Sequence, residues 1–440
     1  MKNSFLNINA TKLVTLMLLL FLSASFLVSQ APQSQENVEI SENSKLQDLL
    51  AAAALSNPGL KAAFERWQAA LKRIPQVRAL PNPQLTYAYF IREVETRVGP
   101  QQHKLGIMQM FPWFGKLKLR GNAASEAANA KKQRYENVKL NLFYRVKEAY
   151  FEYYYVMQTI AVLKENVQLL EYLEEVVRAK YRTGGALYAN LLKIQVELDK
   201  LQDRLKSAVE VLKPVKARLN AALNRPVDAL LPVPKELPTE AFRVVREQLM
   251  ELVKKNNPTL KAIDAVAAKE EVGIKLAKKN YFPDFSIGVD YMITGDARMP
   301  GVGDSGKDPV AAMVSLRLPL WAKKNKAGVK EANARYRAVL NQRQEEENKL
   351  LSRLEMVLYK YRDAGRKMIL YRDTLLPRAT QALEVIRSAF EAGKADFLDF
   401  IDSQRTLLAF GLSYEEAKTL RAQRLAELQM LAGKEDLKGE

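Results

Sequence analysis

The chain has no cysteine and only one histidine, His103, in 440 residues. Without cysteine there is no disulfide framework, thiolate zinc site, iron–sulfur cluster or catalytic thiol. A single histidine leaves no multi-histidine metal site and gives no support for a Ser/His/Asp triad. Neither absence argues against an oxidising compartment. No phosphate-cradling loop stands out either, because Gly301, Gly303 and Gly306 fall in a loop with no helix after it. The sequence therefore offers no catalytic set, and no metal or cofactor is expected.

Acidic residues are also in deficit, with 50 Asp and Glu against 68 Lys and Arg, a net charge of +18. A nucleic-acid binder usually gathers such charge into a patch or arm with aromatics placed for stacking. Here the bases run along the whole chain, interleaved with acids as in residues 131–148 and 323–337. Solvated helix faces are the expectation, with no nucleic-acid partner. The excess would suit an anionic lipid surface or an acidic partner.

Long apolar runs are missing except at the start. Lys2 and Lys12 precede an apolar run over residues 13–28, broken only by Thr15, Ser23 and Ser25, and Ser29, Gln30 and Ala31 follow. This is the plan of a secretory signal peptide, assigned to residues 1–30. The alternative, a retained anchor, needs about 20 apolar residues. Loss of Lys2 and Lys12 would take the charge from +18 to +16. With no cysteine after the run, lipidation of the lipoprotein kind is excluded.

What is present is an internal repeat. Asn57, Pro58, Leu60, Lys61 and Ala62 return as Asn257, Pro258, Leu260, Lys261 and Ala262. Pro83 and Leu85 answer Pro283 and Phe285, residues 111–116 answer 318–323, and residues 181–184 answer 390–393. Four matches in one order mark a duplication, with copies at 31–223 and 243–440 and a proline-rich crossing segment at 224–242. Asn57 or Asn257 serves as N-cap of the first helix in its copy, with proline at the first helical position. A proline ends that helix before two short strands, at 84–91 and 103–110 (hairpin 84–110) and at 284–293 and 309–318 (hairpin 284–318). Phe285, Ile287, Val289, Tyr291 and Ile293 alternate with smaller or polar residues, giving one apolar face.

Proline is then absent between Pro112 and Pro214, and between Pro319 and Pro377. Leu163, Val167, Leu170, Leu173 and Val177 follow coiled-coil spacing, as do Leu351, Leu354, Leu358 and Tyr361. A helix of roughly 70 residues would reach on the order of 100 Å. Gly184, Gly185 and Gly393 are expected as turns needing special backbone angles, each followed by a returning helix. The fold class is mainly α with β. Two hairpins neither stand alone nor close a barrel, so they pair with strands of other chains, or form a small sheet packed on a helix. Their alternation and length suit transmembrane barrel strands, and a trimer would supply twelve.

Residues 375–379, 390–393 and 397–405, together with 111–116, give the chain a resemblance to TolC-type outer-membrane efflux proteins over nearly all of its length after the signal peptide. The resemblance implies a homotrimer, with a twelve-stranded β-barrel in outer-membrane lipid and a coiled-coil α-helical barrel across the periplasm. It implies a periplasmic adaptor (membrane fusion) protein and an inner-membrane pump as partners. It also implies a passive duct, narrowed at its periplasmic tip by acidic rings that fall on Asp399 and Asp402. Asp396 would add a third ring. Three copies of each acid around an axis favour cations. The same acids would also suit the N-terminus of the returning helix, and the first copy has Asn190 and Lys193 in their place. Asp290 and Arg317 are candidate lumen-lining residues. His103 and Met108, Met110, Met292, Met299 and Met313 are soft donors near the strands, but methionine more often fills gaps in packing. A soluble periplasmic scaffold or adaptor is the alternative function.

Overall fold

The computed structural model describes residues 40, 41, 43–237 and 245–435. The expected signal peptide and the end of the crossing segment, 238–242, lie outside the described residues. Helix α1 (Leu46–Ser56) leads into α2 (Pro58–Arg78), then strands β1 (Gln84–Thr96) and β2 (Gly99–Phe111). The long helix α3 (Lys116–Arg182) and its return α4 (Tyr188–Ala222) follow. Next come α5 (Arg246–Asn256), α6 (Pro258–Lys279), β3 (Asp284–Thr294) and β4 (Val310–Arg317). Helix α7 (Ala322–Leu370) then passes through a π-helical turn at Tyr371–Leu375 into α8 (Leu376–Glu391) and α9 (Phe397–Leu431).

Asn57 and Asn257 do cap helices that begin with proline, accepting from the Leu60 N–H at 3.1 Å and the Thr259 N–H at 2.9 Å. Neither helix is the first of its segment, however. Each follows an eleven-residue helix, α1 or α5, absent from the sequence reading. The residue before proline is driven out of the helical region, so Asn57 (ψ 120°) and Asn257 (ψ 121°) are extended and break the two helices apart. The same amides reach across the bundle. Asn57 Nδ2 donates to Ala222 O and Asn257 Nδ2 to Leu431 O, each at 3.0 Å, tying both breaks to the ends of returning helices.

The four strands make one antiparallel sheet, ordered β1-β2-β3-β4. The first hairpin is longer than expected: residues 92–96 and 99–102 are strand rather than loop. A two-residue turn at Arg97 and Val98 joins the strands, with Thr96 opposite Gly99 (φ 134°). The ladder is interrupted between Tyr89 and Val94, where Arg92 and Glu93 fall, and resumes at Val94, Glu95 and Thr96. Register places Leu85, Tyr87, Leu105, Ile107, Val289, Tyr291, Val310 and Val314 on a shared face. That face is apolar and exposed, with Ile91 at 90%. Strands β1 and β4 leave open hydrogen-bonding edges.

Helix α3 runs for 67 residues, about 100 Å at 1.5 Å per residue. Its seam residues Leu163, Val167, Leu170, Leu173 and Val177 are all buried, packed on Leu191, Ile194 and Leu198 of α4 and on Phe397 and Phe400 of α9. Nearer the sheet, Leu142, Val146 and Tyr153 of α3 join Leu219 of α4 and Leu231 and Leu237 of the crossing segment. That segment is thereby held to the bundle despite its prolines. A third cluster joins Leu249 and Val253 of α5 to Leu354 and Leu358 of α7 and Leu428 of α9. Pro377 has no N–H to give to the preceding turn, and the wider turn at Tyr371–Leu375 absorbs the mismatch without ending the helix. Among the described residues no helix is long and apolar enough to cross a membrane.

Candidate functional site

The end of the bundle far from the sheet is made by two helix reversals. Gly184 has φ 74° and Gly393 φ 73°. Gly184 N–H donates to Tyr181 O and Gly185 N–H to Lys180 O. Gly393 N–H and Lys394 N–H bond Phe390 O and Ala389 O in the same way. This closure needs a left-handed residue only at the first position past the helix. Gly185 occupies the second position and has ordinary backbone angles, which corrects its expected role; Lys394 fills the equivalent place in the other turn.

Asp396 is the N-cap of α9, its carboxylate accepting from the Leu398 N–H at 3.5 Å. It stands before the helix, so the helical row of acids begins with Asp399. Asp399 and Asp402 are exposed and line one groove of about 560 Å³ with Leu398 and Arg405 of α9 and with Lys193 and Val196 of α4. Lys193, which stands where the second half has Asp402, thus shares the groove with it.

Two contacts at this end escaped the sequence reading. Arg405 Nε donates to Glu197 at 3.1 Å, clasping α9 to α4, and Lys200 adds a second cation 3.1 Å from Glu197. Hydrogen bonding from Arg405 holds the Glu197 carboxyl below the usual carboxylate range, against an opposing push from partial burial. Lys180 Nζ lies over the Phe390 ring at 4.6 Å and donates to Phe390 O at 2.6 Å and Glu391 O at 3.0 Å. It therefore caps the C-terminus of α8, not that of its own helix. Basic residues in a last turn are visible in sequence, but the neighbour they serve is not.

On the sheet, Asp290 and Arg317 share the face opposite the exposed apolar one. Asp290 is 4% exposed and ion-paired with Lys104 across the vacant side of Gly106, where a Cβ would meet its carboxylate. Arg317 is exposed beside Asp284 in register, but Asp284 is engaged by Lys116 Nζ and the Trp113 N–H, both at 2.8 Å. Met108, Met110, Met292 and Met313 lie on that same polar face. His103 lies on the other, between Tyr87 and Tyr89, its Nδ1 2.9 Å from the Tyr87 hydroxyl. The histidine and the methionines are therefore not brought together. Among the described residues no group of three or more His, Cys, Asp or Glu could hold a metal ion.

A solved CusC structure superimposes on 93% of this chain and 99% of its own with TM-score 0.77 at 15% identity. A membrane protein from Pseudomonas aeruginosa does so over 94% and 98%, with TM-score 0.76 at 16% identity. In sequence, the cobalt-zinc-cadmium resistance protein CzcC of Cupriavidus metallidurans is 21% identical over 421 residues, 91% of this chain and 96% of that protein. Residues 49–225 and 249–434 match the family described as outer membrane efflux protein. With most of its length inside that match, the chain belongs to the outer membrane efflux protein family, a family of transport channels and not of enzymes, and works as an outer-membrane efflux channel.

Proposed function

We propose that three copies of the chain assemble into one export duct. The observation that carries this reading is the sheet: an exposed apolar face, an opposite polar face and two open edges, mounted on helices of about 100 Å. Open edges invite pairing with another chain. Joining β4 of one copy to β1 of the next three times gives twelve strands with no free edge and an apolar band facing lipid. A soluble scaffold would leave that band in water, which argues against the alternative.

In this reading each chain is a duplication, 31–223 and 243–440 joined by the crossing segment at 224–242. The matched caps at Asn57 and Asn257 and the matched tip turns support it. Residues 1–30 direct export and are removed, and no lipid anchor is added. The helices line a periplasmic tunnel whose tip meets an adaptor and an inner-membrane pump. Asp290, held by Lys104, and Arg317 line the barrel lumen. Asp399 and Asp402 form the narrowest rings, with Asp396 capping the helix that carries them. Gly184 and Gly393 make the tip turns, with Gly185 completing the first. A cationic cargo fits both the acidic rings and the likeness to a protein named for cobalt, zinc and cadmium resistance.

Reconstitution into planar bilayers tests this. The full chain is expected to give discrete conductance steps. Intact bilayers without conductance, at protein levels where it is bound to the membrane, would refute the duct.

A further inference from the structure

The positive charge is spread in sequence but gathered in the fold. Strand register sets Gln84 near Met108, Phe111 beside Phe285 and Asp284 beside Arg317, so α2, α3, α6 and α7 all meet the sheet at the same end. The twenty residues flanking each strand there (64–83, 112–131, 264–283 and 318–337) hold eighteen basic and six acidic residues, a net +12 of the chain's +18. Even residues 323–337, which read as mixed, contain six bases to one acid, Glu331. Among the described residues, Arg78, Lys118, Lys278, Lys323, Lys324 and Lys326 are exposed without an ion-pair partner. Unpaired cations of one sign repel each other and are favourable beside an opposing surface of anions.

The same end carries a run of aromatic rings. Phe285, on the apolar face of the sheet, stacks on Phe111 at 5.4 Å and lies 6.2 Å from Phe114. Trp113 stacks on Phe282 at 5.5 Å, and Lys279 sits over that ring at 5.2 Å. Phe114 is 71% and Trp321 76% exposed, and Trp321 stands two residues before Lys323, which Lys324 follows. Aromatic rings at this level of a membrane protein sit in the headgroup layer, where they face both hydrocarbon and water. Cations within a Debye length below them meet the phosphates of that leaflet.

We infer that the helix ends beneath the sheet form a basic collar that binds the headgroups of anionic phospholipids in the helix-side leaflet. The inference rests on the membrane-duct reading above and assigns a role to the chain's excess charge. Continuity with the apolar sheet face identifies the occupant as bilayer lipid, not a free anion.

The test uses the full chain in vesicles, with fluorescence quenching by brominated phosphatidylglycerol or brominated phosphatidylcholine. Trp113 and Trp321 report from within the collar. The parent is expected to prefer phosphatidylglycerol about threefold at low salt and to lose the preference at high salt. The variant K278Q/K323Q/K324Q/K326Q should fall to near-equal association, and arginine at the same four positions should keep the preference. K164Q/K206Q/K213Q/K255Q, neutralising four exposed lysines on other parts of the helices, should also keep it. Equal quenching in the parent, or undiminished preference in the collar variant, overturns the inference. So does displacement by inorganic phosphate at matched concentration. A shift in ion selectivity with lipid preference intact places these lysines on the lumen and also overturns it. No quenching by either lipid overturns the membrane reading itself, whereas insertion without preference removes the collar alone.

Discussion

Gly184 and Gly393 have nothing within 4 Å of where a Cβ would stand, so alanine there meets backbone strain alone. Gly184→Ala and Gly393→Ala should each cost about 1–2 kcal/mol, while Gly185→Ala should be nearly neutral; thermal denaturation of the three variants separates them. The acids beyond the second turn make a functional prediction. Asp399→Asn with Asp402→Asn should lower cation preference and block by multivalent cations in bilayer recordings, and unchanged ion selectivity would remove them from the gate. The clasp beside them depends on pH. Glu197 has its carboxyl lowered by Arg405, so its contribution is fully present above the ordinary carboxylate value and is lost as pH falls through the lowered one. The stability gap between parent and Glu197→Gln should therefore hold from pH 8 to about 5 and close only below about 4.

The breaks at Asn57 and Asn257 join a helix cap to a cross-bundle hydrogen bond, so each asparagine holds two elements at once. Asn57→Ala or Asn257→Ala should cost about 1–2 kcal/mol as a lost cap, with the larger effect where Ala222 O or Leu431 O is left buried and unpaired. Chemical denaturation measures it. These caps were legible from Asn-Pro in the sequence, as were the α3 seam, the hairpins and the reversals at glycine. The short helices α1 and α5 were not, because eleven residues carry too little periodicity to announce themselves. Nor was the extension of β1 past Ile91, where Arg92 and Glu93 fall in an irregularity of the ladder and pairing with β2 resumes at Val94 and Glu95 despite the poor strand preference of a charged residue. At the tip, Asp399 and Asp402 could be named only through the family resemblance, since their spacing alone equally suits the N-terminus of a returning helix. The Arg405–Glu197 and Lys180–Phe390 contacts link residues 208 and 210 positions apart, and only the packing of the bundle brings them together.

For the whole molecule, one chain supplies a four-stranded sheet with both edges open and a helical body far longer than a compact domain accommodates. Each feature is costly alone and favourable in a closed ring, where edges pair and the apolar face meets lipid. The most direct measurement is electron microscopy of the full chain purified in detergent. The expected result is a three-fold particle with a barrel at one end and a tunnel of about 100 Å, the length of α3. A monomeric particle, soluble without detergent and with no central passage, would contradict it.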